Sequence, residues 1–195
     1  MSSASPFDEP PAPIDWRPVF FALSPDAATT ARLMALWDGL QDQLGFASRC
    51  VRNFHVTLFL VGPQAKLSRD QVVAAKEAGD SLSGTPFDLE FDRVMSFPNL
   101  DDKQPIVMPA RDGSPACVDF QQRLGLAARK AGAIKSKVSY QPHLTLARDP
   151  RQVDPIEIEP FRWTVRDFSL TRSDPFRGVH DRLVTWPLRA AEHPA

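Results

Sequence analysis

The chain predicts an α+β fold of two related, sheet-built lobes, and three observations carry that prediction. Apolar stripes at helical spacing are intermixed with short alternating runs of strand type. The later part of the chain holds strand patterns in succession, which favours antiparallel pairing over a parallel array. Finally, NFHVTLFL at residues 53–60 and QPHLTLAR at residues 141–148 each carry a histidine and a threonine two positions apart. The histidines, His55 and His143, are 88 residues apart in a chain of 195, the spacing an internal duplication leaves.

Taken in order, residues 1–14 (MSSASPFDEPPAPI) are rich in Pro, Ser and Ala and are expected as a disordered tail. Residues 15–190 read as a single two-lobed domain with no linker inside it, and residues 191–195 as a second loose tail. PVFFAL suits a strand buried on both faces. Ser24 can cap the following helix and Pro25 suits its first position, with Leu33, Leu36, Trp37, Leu40 and Leu44 as the apolar stripe. NFHVTLFLVG is the second strand, and Ser68 with Gln71 has the spacing of a capping box for a second helix.

In FDLEFDRVMSF, Phe87, Leu89 and Phe91 alternate with Asp88, Glu90 and Asp92, as in a strand with one wet face. A short strand at PIVMPA precedes a third helix, capped by Ser114, opened by Pro115 and closed near Gly132. YQPHLTLAR, FRWTVRDFSLTRS and RLVTWPL complete the strands.

Composition narrows the function classes. A net charge of −1 gives no overall field for coating a duplex or a membrane surface, so an anionic ligand must be met by a local cluster. No apolar run reaches the roughly 18 residues that span a bilayer, and no basic region followed by an apolar stretch opens the chain. A cytoplasmic location follows as the expectation. The two cysteines, Cys50 and Cys117, lack metal-ligand spacing and read as reduced, partly buried thiols. The chain also lacks the G-x-x-x-x-G-K-[ST] phosphate loop that an ATP-driven enzyme would need.

On a strand, side chains alternate, so His55 and Thr57 share one face while Val56, Leu58 and Leu60 take the other. His143 and Thr145 stand likewise against Leu144 and Leu146. A His-x-Thr on a single wet sheet face means little, but random faces have no cause to repeat both residues and their spacing. If a pseudo-twofold axis relates the halves, both His-Thr faces line one cleft. In-line cleavage of a phosphodiester needs a base for the attacking oxygen and an acid for the leaving oxygen on opposite sides of phosphorus. Two histidines supply both near neutral pH, and threonine hydroxyls and an arginine can bind the non-bridging oxygens. No metal and no cofactor is required by that chemistry.

FHVTLFLVG and PHLTLAR resemble the paired H-x-T-x signatures of the two-histidine (2H) phosphoesterase superfamily, in particular its RNA 2′,3′-cyclic phosphodiesterase, or 2′-5′ RNA ligase-like, branch. RPVFFAL, the helix after it and Arg148 add to the likeness, which covers about residues 16–188. The resemblance implies a bilobal fold with two antiparallel sheets flanking a central groove and helices outside. It implies metal-independent hydrolysis of a 2′,3′-cyclic phosphate to a 2′-phosphate. On the family pattern His55 is the acid that protonates the departing 3′-oxygen and His143 the base that activates water. Thr57, Thr145 and Arg148 hold the phosphate. Simple alternation would turn Arg148 away from His143, so the strand must end, bulge or twist before it.

The expected substrates are RNA ends or small cyclic nucleotides, with no membrane and no obligate protein partner, the chain acting as a monomer. A 2′-5′ RNA ligase or 2′-5′ phosphodiesterase would use the same histidines, and a nucleotide-binding module without turnover is the alternative from another class. His180, in the turn-rich DPFRGVHDRL, reads as a solvated loop histidine, although the position resembles one that relatives place near the substrate base. Arg49, Arg52, Arg151, Arg172 and Arg177 flank the motifs in sequence, each more simply a surface arginine. Tyr140 and Phe54 lie near the histidines and can stack on a base, although alternation turns Phe54 into the core.

Overall fold

The computed structural model describes residues 17–63, 66–98, 102–135 and 140–189, and the two tails expected at 1–14 and 191–195 lie outside them. Strand β1 (Pro18–Leu23) leads into helix α1 (Ala27–Leu44). The cap of α1 is Asp26, whose carboxylate accepts from the Thr29 backbone N–H at 2.7 Å, and not Ser24. Pro25 therefore precedes the cap instead of opening the helix. Gly45 ends α1 with φ of 65°, the left-handed turn that glycine adopts without a Cβ clash.

Strand β2 (Val56–Pro63) is followed by α2 (Arg69–Asp80), where Ser68 and Gln71 form the expected reciprocal capping box. Strands β3 (Phe87–Ser96) and β4 (Gln104–Pro109) lead to α3 (Pro115–Ala131), which Gly132 closes. Ser114 occupies the cap position at φ of 44° without a side-chain cap bond. Then come β5 (His143–Asp149), β6 (Ile156–Val165), β7 (Asp167–Asp174) and β8 (Val179–Pro187). The run FRWTVRDFSLTRS, expected as one strand, is therefore split at Arg166. Before it the chain pairs with β3 at one edge of the sheet, and after it with β1 in the other half.

The strands form one antiparallel order, β6-β3-β4-β5-β2-β1-β7-β8. Its halves are the two expected sheets, and they are joined by a single register pair, Val56↔Leu144 between β2 and β5. Each half is built on a copy of the same unit, β1-α1-β2 and β4-α3-β5. The strands that follow are exchanged: β3 pairs with β4, and β7 pairs with β1.

One face of the sheet is apolar. Phe21, Leu23, Val56, Leu58, Ile106, Met108, Leu144 and Leu146 are at most 1% exposed and pack with Leu33, Trp37, Phe120 and Leu124 of the helices. Each such Leu, Ile or Phe contributes about 1.5–3 kcal/mol by leaving water. Helix α1 crosses to the second half, where Arg32 lies 4.5 Å over the Phe161 ring and Arg151 donates to the carbonyls of Leu44 and Gly45. Helices α2 and α3 cover the first half. There Phe120 meets Phe168 at 5.0 Å, and Gly79 lies so close to Trp186 that an added Cβ would clash with the indole ring. Among the described residues no helix is long and apolar enough to cross a membrane.

Candidate active site

The opposite face of the sheet, at the Val56↔Leu144 junction, carries both His-x-Thr motifs. Continuing that antiparallel register sets His55 across from Thr145 and Thr57 across from His143. The pseudo-twofold axis runs through the Val56–Leu144 pair, whose own side chains are fully buried beneath. A groove of about 460 Å³ is lined by His55, Thr57, His143, Thr145 and Arg148, together with Val51, Arg52, Asn53, Gly178 and His180. All five residues singled out by sequence thus share one cavity.

The two imidazoles are held in the same way. His55 Nδ1 lies 2.8 Å from the Asn53 carbonyl, and His143 Nδ1 lies 2.8 Å from the Gln141 carbonyl, each two residues back. A carbonyl only accepts, so Nδ1 carries the proton in both rings and Nε2 is the nitrogen left for a ligand. The surroundings of the two rings differ. His55 packs against Phe20 at 5.3 Å and against the edge of His180 at 4.8 Å, whereas His143 packs against Phe97 at 5.0 Å. Burial pushes the His55 pKa down, the Asn53 carbonyl opposes that shift, and the nearby His143 adds to it. Burial, with His55 beside it, pushes His180 down to about 4.

Arg148 reaches the groove through a β-bulge. Ile106 pairs with Ala147 and Val107 with Thr145, so Leu146 has no opposite residue. The first motif has the same bulge: Phe21 pairs with Phe59 and Ala22 with Thr57, leaving Leu58 over. Beyond it the alternation is inverted, so Phe59 is buried and Leu60, expected on the core face, is 45% exposed. Both bulge carbonyls have partners, since Val51 N–H donates to Leu146 O at 2.8 Å and Gln121 Nε2 to Leu58 O at 3.4 Å.

His180 is not a loop residue. It is the second residue of β8, and Asn53 Nδ2 ties the preceding Gly178 carbonyl to the first motif at 3.0 Å. The turn residues Pro175 and Gly178 could have marked β8 as starting at Val179. Arg52 also lines the groove, while Arg151 is paired with Asp149 and Arg172 with Asp181. Tyr140 does not face the histidines. Its hydroxyl lies 3.2 Å from Cys117 Sγ, beside a separate cavity along α3. Cys50 and Cys117 are free thiols, and burial pushes Cys117 up to about 11.

Residues 25–175 match the sequence profile of the 2′-5′ RNA ligase superfamily. Among solved structures, E. coli LigT is similar at a TM-score of 0.68 with 23% identity, over 89% of this chain and 98% of LigT. A protein described as a phosphoesterase gives 0.68 with 22% identity over 89% of this chain and 99% of its own. The protein TT0787 of Thermus thermophilus gives 0.65 with 21% identity over 90% of this chain and 100% of its own. At these identities the likeness is one of fold. The search of curated proteins found no match.

Proposed function

Because the chain belongs to the 2′-5′ RNA ligase superfamily, we propose that it hydrolyses a nucleotide or RNA 2′,3′-cyclic phosphate to a 2′-phosphate, without a metal ion. The observation that carries this reading is the antiparallel setting of the two His-x-Thr motifs about Val56↔Leu144, with each Nδ1 fixed by a carbonyl. A phosphate over that pair has one free Nε2 on each side, as in-line displacement requires.

His143 takes a proton from water as its oxygen bonds to phosphorus. The bond from phosphorus to the 3′-oxygen breaks, and His55 gives its proton to that oxygen. Thr57 and Thr145 donate to the non-bridging oxygens, and Arg148 balances their charge. In the empty groove His55 holds its proton weakly, because burial lowers its pKa. The negative charge of a bound phosphodiester acts in the other direction and readies His55 as the acid. E. coli LigT has been crystallised with 3′-AMP and with phosphate, ligands of the size and charge that this groove suits.

The test is turnover, in EDTA, of a 2′,3′-cyclic mononucleotide and of a short oligonucleotide with a 2′,3′-cyclic phosphate end. Wild type is expected to form the 2′-phosphate, and His55→Ala and His143→Ala to lose it. Absence of turnover of both substrates by wild type overturns the proposal. A 2′-5′ joined product from a 5′-hydroxyl strand would show the same site running as a ligase.

A further inference from the structure

Beside the groove lies a second depression of about 610 Å³, lined by Ala47, Ser48, Arg49, Cys50, Lys103, Pro150 and, in common with the groove, Val51 and Arg148. The two spaces therefore adjoin at Val51 and Arg148. Sheet pairing builds this annex. Segment 47–51 is laid along the end of β5 by the Cys50↔Ala147 bridge and the Val51 N–H bond to Leu146 O. On the other side, Pro105 pairs with Arg148 and Gln104 with Asp149, which sets Lys103 at the far end of the depression.

Its charge is one-sided. Among the described residues three cations, Arg49, Lys103 and Arg148, line it and no carboxylate does. Asp149, behind the lining, is 1% exposed, and its carboxylate is held by Arg151 and by the side chain of Ser48. Among the described residues no ion pair involves Arg49, Lys103 or Arg148. In a chain of net charge −1, three cations lining one hollow without an ion pair among the described residues mark a place for an anion.

We propose that this annex binds a second phosphate of the substrate, the one on the 5′-oxygen of the nucleoside whose cyclic phosphate lies between the histidines. The inference rests on the cyclic phosphodiesterase reading and names its substrate class. The preferred substrate carries a 5′-side phosphate, as a chain linkage or as a terminal group, in place of a bare nucleoside cyclic phosphate. Arg148 stands between the two phosphates and serves both.

The experiment compares kcat/KM for a nucleoside 2′,3′-cyclic phosphate, the same compound with a 5′-phosphate, and a dinucleotide ending in a cyclic phosphate. Wild type is expected to favour the second or third over the first by about tenfold, through KM, the worth of a charge-assisted contact. Preference for the 5′-phosphate compound identifies a terminal phosphate as the ligand, and preference for the dinucleotide a chain linkage. Arg49→Ala/Lys103→Ala is expected to abolish the preference while leaving the bare nucleoside substrate within about twofold, because neither residue lines the catalytic groove. Equal kcat/KM for all three in wild type, or an equal loss on all three in the variant, overturns the proposal.

If no substrate turns over, the enzymatic reading has failed and the annex is tested by itself. Cys50 lines it, whereas Cys117 is buried with a raised pKa. Protection of Cys50 from iodoacetamide by a dinucleotide, lost in the double variant, supports the subsite. Absence of protection in wild type refutes it.

Discussion

An imidazole whose Nδ1–H donates to a carbonyl two residues back has one nitrogen left for chemistry, and both groove histidines are in that state. Replacing either with Ala should lower turnover by about 10²–10⁴-fold, with the double variant well short of the product of the two. Thr57→Val and Thr145→Val should each cost about 10–100-fold in kcat/KM, from a lost hydrogen bond to a charged oxygen worth about 1.5–3 kcal/mol. Burial holds His55 below its ordinary value in the empty groove, and bound phosphate raises it. The alkaline limb, where the acid loses its proton, should therefore lie at higher pH in kcat than in kcat/KM, and pH–rate profiles of the two constants check this. At this scale the sequence was legible where a motif repeats: His55, Thr57, His143 and Thr145 announce themselves by their echo. His180 and Arg52 have no echo, and only the folded chain shows that they line the groove.

The element that decides the site is the paired bulge. Alternation alone showed that the strand had to end, bulge or twist before Arg148, but not which or where, because Leu58 and Leu146 read as ordinary core residues of regular strands. What locates the bulges is register against β1 and β4, which no single segment encodes. Gln121→Met removes the donor to the Leu58 carbonyl and should destabilise the fold by about 1–3 kcal/mol, read from urea unfolding. The capping box of α2 was legible from two residues, Ser68 and Gln71. Ser68→Ala should cost about 1 kcal/mol of stability and leave turnover unchanged, since α2 lies on the face away from the groove. Asp26 displaced Ser24 as the α1 cap because both are good cap residues and the backbone beyond Pro25 chooses between them.

Across the whole molecule, two half-buried histidines make acid a stress on the fold. His55 and His180 have folded pKa values below the unfolded value of about 6.5, His180 near 4, so the unfolded chain binds more protons in between. Their contribution to stability is complete above about pH 6.5 and is lost as pH falls toward 4. Urea midpoints should fall over that window, and His180→Phe, which keeps a ring against Phe20 and His55, should flatten the fall. The duplication was legible from one spacing, but the exchange of β3 and β7 between halves was not, because it depends on partners far apart in the chain. That exchange means that neither copy of the repeated unit completes a sheet from its own residues. Each half of the sheet is therefore complete only when strands from both parts of the chain are in place, and the groove between the halves closes last. The two motifs in that groove are alike in sequence and unlike in setting, for one histidine has His180 as a neighbour while the other has Phe97.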